Sequence, residues 1–471
     1  MTDDASILAP EDIHSRSGVY HYSRINSQPD HGTMAVAARI RGSSLNSSYH
    51  CLYVNAFPEV FDDEAKDWSK AIVTIALPPE PGRSAALPSC IRARPARIVI
   101  LYIKTLLHPT MPQSHVKKID LGLQGGGAHG AFTWGVLDRL LAEERIEIEG
   151  ISGTSAGAMN AVVVADGLAA GGREAAREAL ARFWRAVSDA GRNSPMQRTW
   201  LDQILGRWTL DFSPGFLTMD LLSRLVSPYE MNPLNINPLR DLLAANVDFD
   251  RVNRCDPLKL FISATNVRTG RPHIFKKPNI TVDSVMASAC LPLMFQAVEI
   301  DGEAYWDGGF MGNPVLYPLI EETSSSDLVI VQINPLVRES LPRTARDILN
   351  RINEIDFNSS LMKDLRAILM LKMLGSAPEH QDERLRNLAV HRIHAEQELV
   401  DLGVSSKMNA EWAFLQYLHD IGWRTAESWI NDHWDDLGVR STYPLEHVLW
   451  GLDTVMQDAA DAATAPPDHE A

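Results

Sequence analysis

The chain has 471 residues, 45% hydrophobic and 22% charged, an ordinary globular composition that excludes a disordered, collagen-like or coiled-coil protein. Its 44 basic and 60 acidic side chains leave a net charge of −16, which excludes general nucleic-acid binding because phosphate neutralisation needs clustered Lys and Arg. Residues 1–110 hold 11 basic and 11 acidic side chains, so the rest of the chain carries the whole excess.

In chain order, residues 1–117 show short apolar pieces such as Ala71 to Leu77, separated by Pro, Ser and Arg clusters. Neither helical nor strand periodicity persists, so this segment is expected to be disordered or loosely structured, with Met34 and Met111 as alternative starts. The acidic beginning lacks the basic n-region of a secretory signal. The longest apolar run, Ile98 to Leu107, is too short for a membrane helix and contains Lys104. The expected location is therefore cytoplasmic. Cys51, Cys90, Cys255 and Cys290 have no paired spacing and read as reduced thiols.

The pattern sharpens at residue 118. Ile119 to Gln124 suits a strand, Gly125-Gly126-Gly127-Ala128-His129-Gly130 a glycine loop, and Phe132, Val136, Leu137, Leu140 and Leu141 recur at helical spacing. Ile146 to Ile151 reads as a second strand, Gly153-Thr154-Ser155-Ala156-Gly157 as a sharp turn, and Ala158 to Ala170 as a small-residue helix. This alternation implies an α/β domain with a mainly parallel sheet. Residues 173–250 read as broken helices. Leu258 to Thr265 and His273 to Phe275 follow as strands, Val282 to Leu291 as a helix, and Ala297 to Trp306 as a hairpin turning at Asp301-Gly302. Leu328 to Ile333 is a buried strand. Beyond Pro335 the chain reads as helical: Ile348 to Leu374, Asn409 to Leu418 and Thr425 to Trp434. The expected organisation is a segment at 1–117, a catalytic domain at 118–335, a helical extension at 336–458 and a disordered tail at 459–471.

Three motifs carry chemistry. Gly153-x-Ser155-x-Gly157 lies between a strand and a helix. A nucleophile on such a turn needs small flanks, and the helix N-terminus behind it favours developing negative charge. The loop Gly125, Gly126, Gly127 to Gly130 can point several N–H groups inward. It lacks the Gly-Lys-Ser/Thr ending of a Walker loop. A dinucleotide site with Glu147 or Glu149 as its acidic residue stays open as a rival. Asp307-Gly308-Gly309 offers a glycine-flanked carboxylate that could serve an activated serine as base.

Glycine loop, G-x-S-x-G and D-G-G in this order resemble the patatin-like phospholipase family of lipid acyl hydrolases. The resemblance covers residues 119–335 and implies a three-layer α/β fold. It also implies a Ser155–Asp307 dyad without histidine, an oxyanion hole from Gly125, Gly126 and Gly127, and no metal or cofactor. Gly130, Gly153, Gly157, Gly308 and Gly309 support the motifs. The implied partner is a lipid or acyl ester, with peripheral membrane contact and no nucleic acid. His129 departs from the family, which often has Lys or Arg there. The alternatives are a Ser–Asp–His esterase, with His380, His391, His394 or His419 as its base, and an inactive acyl-chain binding protein. Trp184, Trp200, Trp208, Phe212 and Phe216 line either a flap or a helical core, and Trp412, Trp423, Trp429 and Trp434 seal a C-terminal helical layer. Deletion of residues 1–110 is expected to leave esterase rate and melting temperature nearly unchanged; loss of soluble protein would contradict this boundary.

Overall fold

A computed structural model describes residues 116–446, apart from 257, 339–340 and 376–382, together with four short upstream strands. The chain divides into two units, Met1–His108 and Pro109–Ala471. In the first unit, β1 (Asp12–Ser15), β2 (Gly18–Arg24), β3 (Val36–Arg41) and β4 (His50–Leu52) form an antiparallel meander. Apart from residues 116 and 117, the remainder of the 1–117 segment, its apolar pieces included, lies outside the described residues, as does the 459–471 tail; Lys117 already belongs to the sheet of the second unit.

The second unit is built on an eight-stranded sheet. Its order is β12 (Ala389–His394), β11 (Asp327–Gln332), β5 (Lys117–Leu123), β6 (Ile146–Gly153), β7 (Lys259–Asn266), β10 (Glu303–Asp307), β9 (Val298–Ile300), with β8 (Pro272–Lys276) also on β7. The five strands from β12 to β7 run parallel; β8, β10 and β9 are antiparallel to their neighbours. Strands covered on both faces need apolar residues on both, and β11 is buried at every position. Val329 and Val331 pack into one core, Leu328 and Ile330 into another. One side of the sheet is therefore covered by α1 (Gly130–Ala142), α2 (Ala156–Gly191) and α5 (Trp412–His433), and the other by α4 (Ala345–Gly375). This is the expected three-layer arrangement; α3 (Val282–Ser288) is introduced with the site below.

Several elements differ from the sequence reading. The reading beyond Pro335 was helical throughout, yet β12 lies there and extends the sheet in register with β11, Val331 opposite Ile393. It is short and carries Arg392 and two histidines, which masks a strand signal. Two expected C-terminal helices are one, α5. The helix from Ala158 continues to Gly191 after a break at Gly171 and Gly172. Asp301 and Gly302 take φ of 52° and 79°, as a two-residue hairpin turn requires.

The aromatic residues divide as their burial dictates. Trp184 is buried beside Trp134, with its N–H donated to Asn160 Oδ1 at 3.0 Å. Trp208 stacks on Phe414 and Tyr417. Trp200 and Phe212 are exposed. Trp412 and Trp429 pack into the layer made by α5, and Trp434 takes the Arg145 guanidinium over its ring. No helix among the described residues is long and apolar enough to cross a membrane.

The helices α1 and α5 cross at small residues. A Cβ at Gly135 would stand 1.9 Å from the His419 carbonyl oxygen, and one at Gly422 would stand 2.1 Å from that of Phe132. Replacing Gly135 by Ala is expected to destabilise the protein by about 1–3 kcal/mol through overpacking. Thermal denaturation should show a midpoint several degrees lower; an unchanged midpoint would contradict so close a crossing.

Candidate active site

The sheet register brings the three motifs to one level. Leu123 at the end of β5 pairs with Gly153 at the end of β6, and Gly153 pairs with Ile262 in β7. Two residues further along β7, Ala264 faces Asp307 at the end of β10. The glycine loop leaves β5 here and the serine turn leaves β6 here. Because β10 runs antiparallel, its last residue arrives at this same level.

Ser155 has φ 54° and ψ −119°, a strained backbone that few non-glycine residues adopt. Flanking residues fix it. Thr154 Oγ1 donates to the Gly312 carbonyl at 2.7 Å and shares a 2.6 Å hydrogen bond with Ser263 Oγ. The Ser155 N–H donates to Oγ of Ser288, the last residue of α3, at 2.9 Å. A Cβ at Gly157 would lie 2.3 Å from the Leu123 carbonyl, and one at Gly125 would lie 2.8 Å from Cβ of Ser155. Any larger residue would push the serine turn and the glycine loop apart. Ser155 caps α2, whose N-terminal dipole favours negative charge at this point.

Asp307 is buried. Its Oδ1 accepts the Gly309 N–H at 2.7 Å, and its own carbonyl accepts Thr265 Oγ1 at 2.8 Å. Burial pushes its carboxyl up to about 7 against the opposing pull of the Gly309 N–H, the Ser155 hydroxyl and the Lys407 charge. The Ser155 hydroxyl lies near enough to act on the carboxyl, so the two side chains are neighbours.

The glycine loop is held from behind. Gly125 N–H donates to Asn313 Oδ1 at 2.6 Å. Gly125 was expected among the oxyanion donors, but this bond occupies its N–H; Gly126 and Gly127 have no acceptor for theirs among the described residues. Gln124, fully buried, accepts the N–H groups of Ile333 and Asn334, both at 2.9 Å, and donates to the Asn313 carbonyl and to Asn358 Oδ1. Asn334 in turn donates to the Gly125 carbonyl at 3.2 Å.

The histidines have other partners. His129 is buried with its Nε2 2.7 Å from Ser406 Oγ; burial, aided by the Lys407 charge, pulls it down to about 3, so it is neutral. His391 bonds Asp327 and Thr442, His394 bonds Arg392, and His419 bonds Asp138 and Asp420. His380 lies outside the described residues. The Cys290 thiol, pushed up to about 12 by burial, is no nucleophile at neutral pH. Its carbonyl accepts the Asp307 N–H at 2.8 Å. Cys290 also lines a cavity of about 400 Å³ with Tyr229, Met286 and Phe295, whose wall includes neither Ser155 nor Asp307.

Sequence reasoning missed Ser288, Asn313, Asn334 and Lys407. Asn313 could have been suspected, since it follows the Asp307 motif in the same loop. Lys407 has no local signal; it lies 100 residues beyond Asp307.

Residues 121–320 match the family model described as Patatin-like phospholipase. No curated protein matches the chain. Among solved structures the chain is similar to VipD from Legionella pneumophila, at 13% identity over 74% of this chain and 75% of that one, with a TM-score of 0.32. It is also similar to a chain in the complex of full-length SpcU with full-length ExoU from the type III secretion system of Pseudomonas aeruginosa. There the identity is 14%, the coverage 74% of this chain and 62% of that one, and the TM-score 0.24.

The raised Asp307 carboxyl has a consequence for stability. Its folded value of about 7 exceeds the unfolded value of about 3.9. Between the two, the folded state binds a proton that the unfolded state does not. Stability from this group is therefore lost as pH rises toward 7, and the penalty is complete above it. Asp307→Asn should melt above the wild type at pH 8, with the gap narrowing at pH 5. A variant that melts below the wild type at pH 8 would contradict a buried carboxylate that destabilises the fold.

Proposed function

Because residues 121–320 carry a patatin-like phospholipase domain, we propose that the protein is a serine hydrolase of lipid carboxylic esters. Ser155 is the nucleophile and Asp307 the general base. The observation that carries this reading is the meeting of a strained serine at a helix N-terminus with a buried, high-pKa carboxylate that its hydroxyl influences. Asp307 takes the proton from Ser155 Oγ. The serine oxygen attacks the ester carbonyl carbon, and the N–H groups of Gly126 and Gly127 hold the resulting oxyanion. Collapse expels the alcohol, which receives the proton from Asp307, and leaves an acyl-serine. Asp307 then deprotonates a water that attacks the acyl carbon; the bond from that carbon to Ser155 Oγ breaks, the serine oxygen takes the proton back from Asp307, and the acid is released. A carboxylate of ordinary pKa is too weak a base for this work, and burial supplies the missing basicity.

The surface beside the site suits a lipid. Residues 200–236 expose Trp200, Ile204, Leu221, Leu225 and Leu234, the last at 80%, and the helix Pro214–Leu225 buries no residue. Tyr229 from this segment shares the cavity wall with Cys290. Such a surface favours the peripheral lipid contact expected from the sequence.

Assays of p-nitrophenyl esters and phospholipids on folded Ser155→Ala and Asp307→Ala proteins are expected to show losses of at least about 10³-fold. A fluorophosphonate probe should label the wild type and not Ser155→Ala. Full hydrolysis by Ser155→Ala would end the proposal. Alanine at His394 or His419 should leave the rate within a few-fold, where a triad histidine would lose orders of magnitude.

A further inference from the structure

The segment Val404–Met408, well outside the matched residues 121–320, packs against the glycine loop. A Cβ at Gly127 would stand 2.5 Å from the Lys407 carbonyl oxygen. The Lys407 side chain turns inward. Its Nζ donates to Asn334 Oδ1 at 2.7 Å, and the same asparagine holds the Gly125 carbonyl. Nζ also sits 5.4 Å from the centre of the Phe357 ring. Phe357 leans on the other half of the site: a Cβ at Gly309, whose N–H binds Asp307, would lie 2.4 Å from its ring.

From this placement we propose that Lys407 is a positioning residue for the Ser155–Asp307 dyad, bracing the glycine loop with its backbone and stationing an ammonium within the field of the Asp307 carboxylate. The inference rests on the dyad reading and deepens it.

The neighbouring charges leave Asp307 as the group on which this ammonium acts. Glu354, one turn before Phe357 on α4, attracts Lys407 but is held by Arg338 and Arg351 at 2.9 and 3.2 Å. His129 is neutral. Burial pulls the Lys407 ammonium down to about 8 against the raising influence of Glu354 and Asp307. It is therefore mostly charged at pH 7 and below, where the acid limb set by a carboxyl near 7 lies. A positive charge there favours the ionised carboxylate, the form that can take the serine proton.

The test is the pH profile of kcat/KM for ester hydrolysis by the full chain. In Lys407→Met the acid limb should move up by about 0.5–1 pH unit, so the variant is about 3–10-fold slower at pH 6 and approaches the wild type at pH 9. Lys407→Arg, which restores the charge, should return the limb toward the wild-type position. A purely structural lysine would instead lower the rate equally at every pH. Either that uniform loss, or an unmoved limb in folded Lys407→Met, overturns the proposal. If the Met variant does not fold, an Arg variant whose acid limb lies as high as expected for loss of the charge overturns it as well. Should wild-type hydrolysis prove independent of Ser155, the dyad reading falls and takes this inference with it. Hydrolysis that needs Ser155 but whose acid limb ignores Lys407 removes the inference alone.

Discussion

A carboxylate kept out of water beside a hydroxyl is the constraint on which this structure turns. Desolvation makes Asp307 a stronger base, and the same desolvation disfavours its charged form. The two demands are reconciled by a few fixed dipoles. Gly309 N–H supplies one hydrogen bond to the carboxylate, and Thr265 and Cys290 fix the backbone on either side. Charged groups close to Asp307 are few, so each one carries weight in setting its protonation.

The glycine loop faces a related difficulty. An oxyanion hole must leave N–H groups free, yet buried backbone donors without partners are unfavourable. Among the described residues of the loop, Gly125 N–H is taken by Asn313, while Gly126 and Gly127 have no acceptor for theirs. At the base of the loop Gln124, Asn313, Asn334 and Asn358 form a hydrogen-bonded network, in which the Asn313 Nδ2 is left without a partner among the described residues. Because such a network is rigid only when its members are satisfied, the loop depends on α4 and on the turn at 404–408 as much as on the strand it leaves. The chemistry-bearing body therefore does not stop where the three motifs stop.

The layers are unequally secured. On one face, α1 and α5 lie in backbone contact and share a continuous apolar core with β5 and β6. The helices between 200 and 236 bury little, so their stability rests on caps such as the Ser227–Glu230 capping box and on scattered contacts such as the Arg346–Asp211 ion pair. Segments of this kind lie at the low end of local stability, from which binding elements are drawn.

Much of this was legible in the order of residues. Strand, glycine loop, helix, strand, sharp turn and helix could be read from 119 to 170, because each depends on local periodicity and on residues small enough for tight turns. Ser155 stands out for the same reason, as a serine on a strand-to-helix turn is set by its own flanks. The order of the motifs proposes Asp307 as partner of Ser155, but the nearness of the two is decided by sheet register: an antiparallel β10 inserted beside β7 brings a strand end to the level of Gly153. No local pattern encodes which strands pair. The occupation of Gly125 by Asn313, the neutral packing of His129 and the arrival of Lys407 were likewise invisible. They arise from hydrogen bonds between residues 188, 277 and 73 positions apart, and only the folded chain brings such separations to hydrogen-bonding range.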